Sequence, residues 1–395
     1  MFLHRIKVLT LAGFSVWVDA SWLILAALLT WTLALGEFPS VAPNLSAATY
    51  WWMGLAGTIG LFISIVLHEL THALIARRYD MPITGITLFI FGGVAELHNE
   101  PSSAKAEFFV AVGGPITSLV LGAILLLAAE LGQDSLSPAV SAVINYIGAL
   151  NWILVLFNIV PAFPLDGGRV LRAALWGWTN DFGRATRIAA AAGEFFGVAM
   201  ILYGILEFTI GNMIGGIWLF FIGLFLHGAA GAARQELAIR RTFAGLPVSE
   251  LMQRNPIGVS PDLSIAGLIE HYFYRHYFKA FPVLRDGELV GCIMAKDVRN
   301  LPGRAMQQLR VAEVMHPCSS EIIVPPDLDA LDALAKMQGG RHSRLMVVDH
   351  GRLSGILSLS DMLEYLSLRQ QFDQDKQHPS REQGAVPSKY GHAAR

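Results

Sequence analysis

His68-Glu69-Leu70-Thr71-His72 lies inside residues 50–76, a run apolar and long enough to cross a lipid bilayer, which takes roughly 20 helical residues. On a helix, positions four apart share a face, so both imidazoles can reach one metal ion, with Glu69 beside them to take a proton from water. HExxH by itself occurs by chance in unrelated chains. In an apolar span, however, each ionisable group costs roughly 3 kcal/mol unless it has a partner or a role. Three such groups within one turn and a half argue for a metal site over a pair of neutral packed histidines.

Outward from this stretch, further apolar runs near 20–36, 107–130, 139–160, 186–210 and 213–233 predict six transmembrane helices in residues 1–235. The first run has no small-residue cleavage site after it and reads as an anchor. Residues 1–235 hold 10 Lys/Arg and 13 Asp/Glu, whereas residues 236–395 hold 19 and 18, so an apolar membrane half is followed by a half of soluble composition. Arg5, Lys7, Arg77, Arg78, Lys105, Arg169, Arg172, Arg184, Arg187 and Arg234 all fall on one side of the expected spans, and the loops at 37–49, 131–138 and 211–212 hold no Lys or Arg. That bias places both termini in the cytoplasm. A formal charge of −2 without a basic block excludes nucleic acid as the main partner. Two cysteines, Cys292 and Cys318, exclude a disulfide-built fold and a thiolate metal cluster, and their place in the polar half points to a reducing compartment.

Between the second and third runs, Ile83 to Ile90 is β-branched and aromatic, and Phe91-Gly92-Gly93-Val94 follows. A short strand or hairpin at the membrane face fits, its backbone covered by protein, and its edge can receive an extended peptide.

A catalytic metal of this type wants a third protein ligand and one open position. The candidates are Glu96, His98, Glu100, Asp166 and Asp181. His68 stands in the cytoplasmic third of an inward-running span, and Asp166 lies at the cytoplasmic end of another, so these two meet at one depth. Around Asp166, Asn158-Ile-Val-Pro161-Ala-Phe-Pro164-Leu-Asp166-Gly167-Gly168-Arg169 carries two prolines that break a helix and two glycines that let the backbone fold closely.

The polar half repeats itself. Val248-Ser249-Glu250-Leu251-Met252 returns as Val311-Ala312-Glu313-Val314-Met315, Pro261-Asp262 as Pro326-Asp327, and Gly287 and Gly291 as Gly351 and Gly355, with Asp297 and Asp361 closing the copies. Two similar α/β units packed together are expected: a linker at 236–245, copies at 246–305 and 306–370, and a disordered polar tail over 371–395.

HELTHALIA and NIVPAFPLDGGR resemble the motifs of the site-2 proteases, membrane zinc metalloproteases of peptidase family M50 that cut other proteins' transmembrane helices. The resemblance covers residues 1–230 and includes Phe91 to Leu97. It implies His68, His72 and Asp166 as ligands of one zinc ion, Glu69 as catalytic base, and Asn158 as a donor near the developing oxyanion, an interaction class worth about 3 kcal/mol. After Gly113-Gly114-Pro115, where the family often has asparagine, this chain has Ser118, a shorter group from which no strong polar role is expected. The repeated half resembles a pair of CBS domains, which implies ATP or AMP binding through Asp361 and Ser358, and homodimerisation. The first copy has Met294 where Ser358 stands in the second. An Asp at a strand-to-helix junction is also a common helix cap, and Arg341, His342 and Arg344 are candidate phosphate contacts.

The expected fold is therefore a polytopic α-helical membrane protein, with six transmembrane helices and a short membrane-associated β-hairpin, followed by a C-terminal α/β tandem CBS domain. The expected activity is intramembrane zinc metalloendopeptidase in a bacterial inner membrane or comparable membrane, acting on a single-span, membrane-anchored regulator. The alternative is a membrane metal or ion transporter with a cytoplasmic nucleotide-sensing module, which gives Glu69 nothing to do.

Overall fold

Each long apolar run begins at a side chain able to accept the first free amides of a helix. Asp19 accepts from Ser21 N (3.0 Å), Ser46 from Thr49 N (3.1 Å), Ser103 from Ala106 N (3.1 Å) and Ser137, followed by Pro138, from Val140 N (3.4 Å). In the computed structural model, which describes residues 5–81, 83–90, 92–97, 101–278, 280–299, 301–340 and 342–377, the membrane half holds helices α1 (Ala20–Val41, through a π-helical turn at Leu33–Glu37), α2 (Ala47–Arg78), α3 (Ala104–Leu131), α4 (Pro138–Asn158), α5 (Asp166–Thr179), α6 (Phe182–Thr209) and α7 (Met213–Phe243). All but α5 are long and apolar enough to cross a membrane. Their outward side chains, among them Ile24, Ile59, Ile116, Leu127, Leu156 and Leu202, are apolar and exposed, as lipid contact requires. The first span runs past the expected end at 36 because the π turn carries the helix through Gly36-Glu37.

The hairpin is larger than expected. Strands β1 (Arg5–Leu11) and β2 (Phe14–Asp19) join β3 (Ile83–Phe89) and β4 (Gly92–Leu97) in one sheet of order β1-β2-β3-β4. Strand β2 pairs with β3 in parallel, from Ser15↔Gly85 to Val18↔Leu88. Phe14, Val16 and Val18 alternate inward, and Val16 and Val18 pack with Ile86 and Leu88 against Val66 of α2. This alternation reads in sequence only as the flank of the first span. Strand β4 is left as one edge of the sheet.

Residues 1–237 and 238–395 are separate compact units. The second contains a sheet of order β6-β7-β10-β9-β8, with β5 beside β10, where β5 is Gln253–Arg254, β6 Ala280–Arg285, β7 Glu288–Met294, β8 Ile323–Val324, β9 Arg344–Asp349 and β10 Arg352–Ser358. The hairpins β6-β7 and β9-β10 are the repeated strands of the two copies. The opening segment of each copy, however, completes the core of the other. Val248 and Leu251 pack with Val324, Ala330 and Leu357, while Val311 packs with Val259, Ile265 and Ile293. The packing units are thus exchanged relative to the sequence copies 246–305 and 306–370.

Three expectations need correction here. The linker 236–245 is helical through Phe243, the end of α7, because that side chain is buried in the core of the second unit. The tail begins later than 371, since a helix runs over Leu359–Gln377 on Gln, Asp and Lys residues compatible with helix; residues 378–395 lie outside the described residues. Cys292 and Cys318 are joined in a disulfide with a Cα separation of 5.4 Å, in place of the two reduced thiols expected from their position. A backbone pairing of Cys292 with His316 in both directions brings them together.

Candidate metal centre

The first two candidate ligands follow from helix periodicity alone. His68 and His72 project from the same face of α2, with ring centroids 4.8 Å apart, and both are buried. Each ring is held through Nδ1. His72 Nδ1 lies 2.6 Å from Val110 O and must donate to it, and His68 Nδ1 lies 2.9 Å from Ser118 Oγ. Both partners belong to α3. The Nε2 atoms then converge on Asp166 Oδ2, at 3.0 Å for His68 and 3.3 Å for His72.

Asp166 reaches this point because the chain breaks between α4 and α5. Residues 159–165 turn back through Ala162 N→Val160 O (2.7 Å) and Leu165 N→Ala162 O (3.0 Å), and Phe163 N donates to Ala189 O of α6 (3.3 Å). The peptide Phe163-Pro164 is cis. The two sides of the turn touch backbone to backbone: a Cβ on Gly168 would stand 2.2 Å from Phe163 N, and one on Gly193 of α6 1.8 Å from Phe163 O. Asp166 is the first residue of α5, where free amides favour a carboxylate.

The donor set fits zinc. Zinc with nitrogen and oxygen ligands at about 2.0–2.1 Å in a tetrahedron places those ligands roughly 3.4 Å apart, close to the separations found. Because His72 donates its Nδ1 proton to Val110 O, a neutral ring turns its Nε2 lone pair toward the Asp166 carboxylate, an arrangement that needs a cation between them, which a metal ion supplies. Space for the ion is provided by Gly114 of α3: a Cβ there would lie 2.3 Å from His72 Nε2 and 2.4 Å from His68 Nε2. The three residues also form a group that could hold a metal, their ligand atoms within 4.8 Å of one another.

Glu69 is half-buried one residue along α2, and Gly93 of the edge strand β4 sits against it, close enough that a Cβ would meet Glu69 Cγ at 2.6 Å. Asn158 does not join this group; its Nδ2 donates to Leu154 O of its own helix at 3.0 Å. Asp181 is excluded as a ligand by its location at the start of α6, where it accepts from Arg184 N at 2.8 Å. The side chain of Glu96, and all of His98 and Glu100, lie outside the described residues.

Ser118 corrects the expectation of no strong polar role. It is buried at 1% exposure and holds His68; serine is long enough because α3 packs close to α2 through Gly113 and Gly114. Four residues after Gly114, it shares that glycine's face, the one signal in sequence that could have found it. Ser118→Ala is expected to weaken zinc binding about 10- to 100-fold, measured by competition with a chromogenic chelator. Other polar contacts the sequence reading missed are Asn151 Nδ2→Ser64 Oγ (2.9 Å) and an ion pair of Glu107 with Arg172.

In the second unit, both closing aspartates cap their own turns. Asp361 Oδ2 accepts from Ser358 N (3.0 Å) and Ser358 Oγ (2.6 Å), and Asp297 Oδ2 accepts from Met294 N (2.8 Å). A cavity beside Asp361 is lined by Glu250, Gln253, Glu364 and Tyr365 among others. Arg344 stands over the ring of Phe278 at 5.2 Å and His342 near Glu321 at 3.5 Å, while Arg341 lies outside the described residues.

Six apolar spans around a buried His-His-Asp group with an adjacent glutamate define a multi-pass membrane metalloprotease. The profile of peptidase family M50 matches residues 56–134 and 129–204, and that of the CBS domain matches 248–303 and 311–368. A protein of Mycobacterium tuberculosis named as a candidate zinc metalloprotease, Rip3, is 33% identical over 361 residues, 91% of this chain and 92% of its own. The zinc metalloprotease MJ0392 of Methanocaldococcus jannaschii is 30% identical over 310 residues, 78% of this chain and 84% of its own. The solved site-2 protease from Methanocaldococcus jannaschii aligns over 58% of this chain and 95% of its own, at 26% identity and a TM-score of 0.42. The chain belongs to peptidase family M50, the site-2 protease family of zinc metalloproteases, and carries a tandem CBS pair.

Proposed function

We propose that this protein hydrolyses peptide bonds in or next to the transmembrane helix of single-span, membrane-anchored regulatory proteins, with His68, His72 and Asp166 holding one zinc ion. The observation that carries the reading is the contact of Gly93 with Glu69, which puts an open strand edge beside the base and the ligand group. Bound there, zinc supplies a Lewis acid for the scissile carbonyl and brings the pKa of water to about 7. Glu69 takes the proton of the attacking water and returns it to the leaving nitrogen. Asn158, freed from Leu154 O, donates to the carbonyl oxygen. A helical substrate has its carbonyls bonded and shielded, so it unwinds; pairing with β4 offsets the lost helix bonds.

The basic residues gathered at one set of span ends favour an orientation with both termini cytoplasmic, in a plasma membrane such as a bacterial inner membrane. The CBS pair forms a homodimer and binds adenine nucleotide, with Asp361 and Ser358 at the ribose. Carboxylates Glu250 and Glu364 in that cavity disfavour added phosphate charge, so AMP acts more strongly than ATP.

The test is the full chain in proteoliposomes with a single-span reporter. Cleavage inside the reporter's span is expected, located by mass spectrometry of the products. A chelator should abolish it, added zinc restore it, and AMP alter its rate more than ATP does. Cleavage that survives metal removal, or none with zinc present, would overturn the protease reading; equal rates with and without nucleotide would overturn the nucleotide part alone.

A further inference from the structure

Glu107 is fully buried on α3, and its Oε1 takes both Nε and Nη2 of Arg172 on α5, the Nε bond at 2.7 Å. The guanidinium is enclosed between two rings, Phe163 at 5.0 Å and Phe182 at 5.1 Å. One side chain therefore ties together α3, the turn that delivers Asp166, α5 itself and the start of α6. The positions along each helix matter. Glu107 is three residues before Val110, whose carbonyl holds His72, and Arg172 is six residues after Asp166. The ion pair thus joins the α3 turn that fixes an imidazole to the helix that begins with the carboxylate.

General stability is a weak explanation for this pair. Removing two charges from water costs much of what their attraction returns, and apolar residues of similar volume often serve folding as well or better. Glu107 Oε2 is also buried without a hydrogen-bond partner among the described residues, a further cost. What the pair does provide is direction. A guanidinium gripped by a carboxylate and two rings has one orientation, and it sets the register of α5 against α3 more narrowly than apolar packing does.

We infer that Glu107 and Arg172 are positioning residues of the zinc site, setting the separation of Asp166 from His68 and His72. The inference rests on the zinc reading above and extends it to two residues that touch neither metal nor substrate. Aligned ligands held within a fraction of an ångström bind metal far better than the same ligands displaced.

The experiment compares purified full-length protein with the double variant Glu107→Leu/Arg172→Met, the single variant Arg172→Lys, and Thr58→Val as a control that removes the half-buried Thr30–Thr58 hydrogen bond between α1 and α2 (2.9 Å). Zinc affinity is measured by chelator competition, ligand geometry by the visible spectrum of the cobalt-substituted protein, and folding by thermal unfolding. The double variant should unfold no earlier than the parent yet bind zinc at least tenfold more weakly, with an altered cobalt spectrum. Arg172→Lys, which keeps the charge but not the fork, should fall between, and Thr58→Val should match the parent.

Parent-like zinc affinity and cobalt spectrum in a folded double variant would overturn the inference, as would an equal loss in Thr58→Val. Should the double variant fail to fold, Arg172→Lys decides: at least a threefold loss of affinity supports the inference and parent-like affinity overturns it. A parent protein that binds no zinc refutes the zinc reading instead, so the two failures are distinguishable.

Discussion

Gly114→Ala is expected to cost the protein its zinc while leaving its helices standing. Alanine is the better helix residue by about 1 kcal/mol, and Gly114 lies within α3, so the local backbone gains from the change. The added methyl, however, has nowhere to go: it would stand 2.3 Å from His72 Nε2 and 2.4 Å from His68 Nε2, inside the volume where the ion belongs. Either α3 moves away from α2, breaking the bonds from His72 to Val110 O and from His68 to Ser118, or the imidazoles turn aside. Displacement of reacting groups by about 1 Å can cost 10²-fold in rate, and here both ligands shift at once, so a loss of 10²-fold or more is expected in activity. Metal analysis of the purified variant should show well under one zinc per chain, with helix content at the parent level and a thermal unfolding temperature no higher than the parent's, because overpacking of about 1–3 kcal/mol offsets the gain in helix propensity. A variant that retains zinc and activity would show that the ligands approach the ion from a different side than the structure shows.

Glu69→Ala separates chemistry from metal binding. Among the described residues no hydrogen bond or ion pair joins Glu69 to the ligand group, and the ring orientations are set by α3, so zinc content should stay at the parent level. What is lost is the group that moves the proton, a contribution typically worth 10²–10⁴-fold. Cleavage of a single-span reporter should fall by about that factor while the reporter still binds. Copurification of uncleaved substrate with this variant would also identify natural substrates. A variant cleaving at the parent rate would remove Glu69 from the mechanism and with it the protease assignment of this site.

The features legible in the sequence are those carried by neighbours along the chain. Spacing of four put His68 and His72 on one face, apolar run length marked six spans, and the offset near 64 residues exposed the duplicated module. Asp166 was reachable by an argument about depth, because two spans expected to run in the same direction carry His68 and Asp166 toward a common level. The polar contacts around the ligands were not reachable in this way. The spans are apolar over most of their circumference, so hydrophobic periodicity says little about which face of α3 meets α2. Ser118, Val110 O and Gly114 become parts of the site only once that rotation is known. Glu107 and Arg172, 65 residues apart, were readable only as loop charges. Strands β1 and β2 pair with each other locally, but β3, the strand that joins their hairpin to the sheet through β2, is about 70 residues downstream.

The sequence by itself thus determined the chemistry available to this protein: two imidazoles and a carboxylate suited to a zinc ion, a glutamate beside one of them, six apolar spans around them and a duplicated module after them. Only the tertiary structure decided where the third ligand is held, which atoms orient the rings, and that a glycine on a third helix leaves room for the ion. The physical reason is that residue type and spacing set which interactions a segment can make. The choice among them rests on packing between helices, where backbone approach at Gly114 and Gly193 and the burial of one ion pair fix distances that no local pattern encodes.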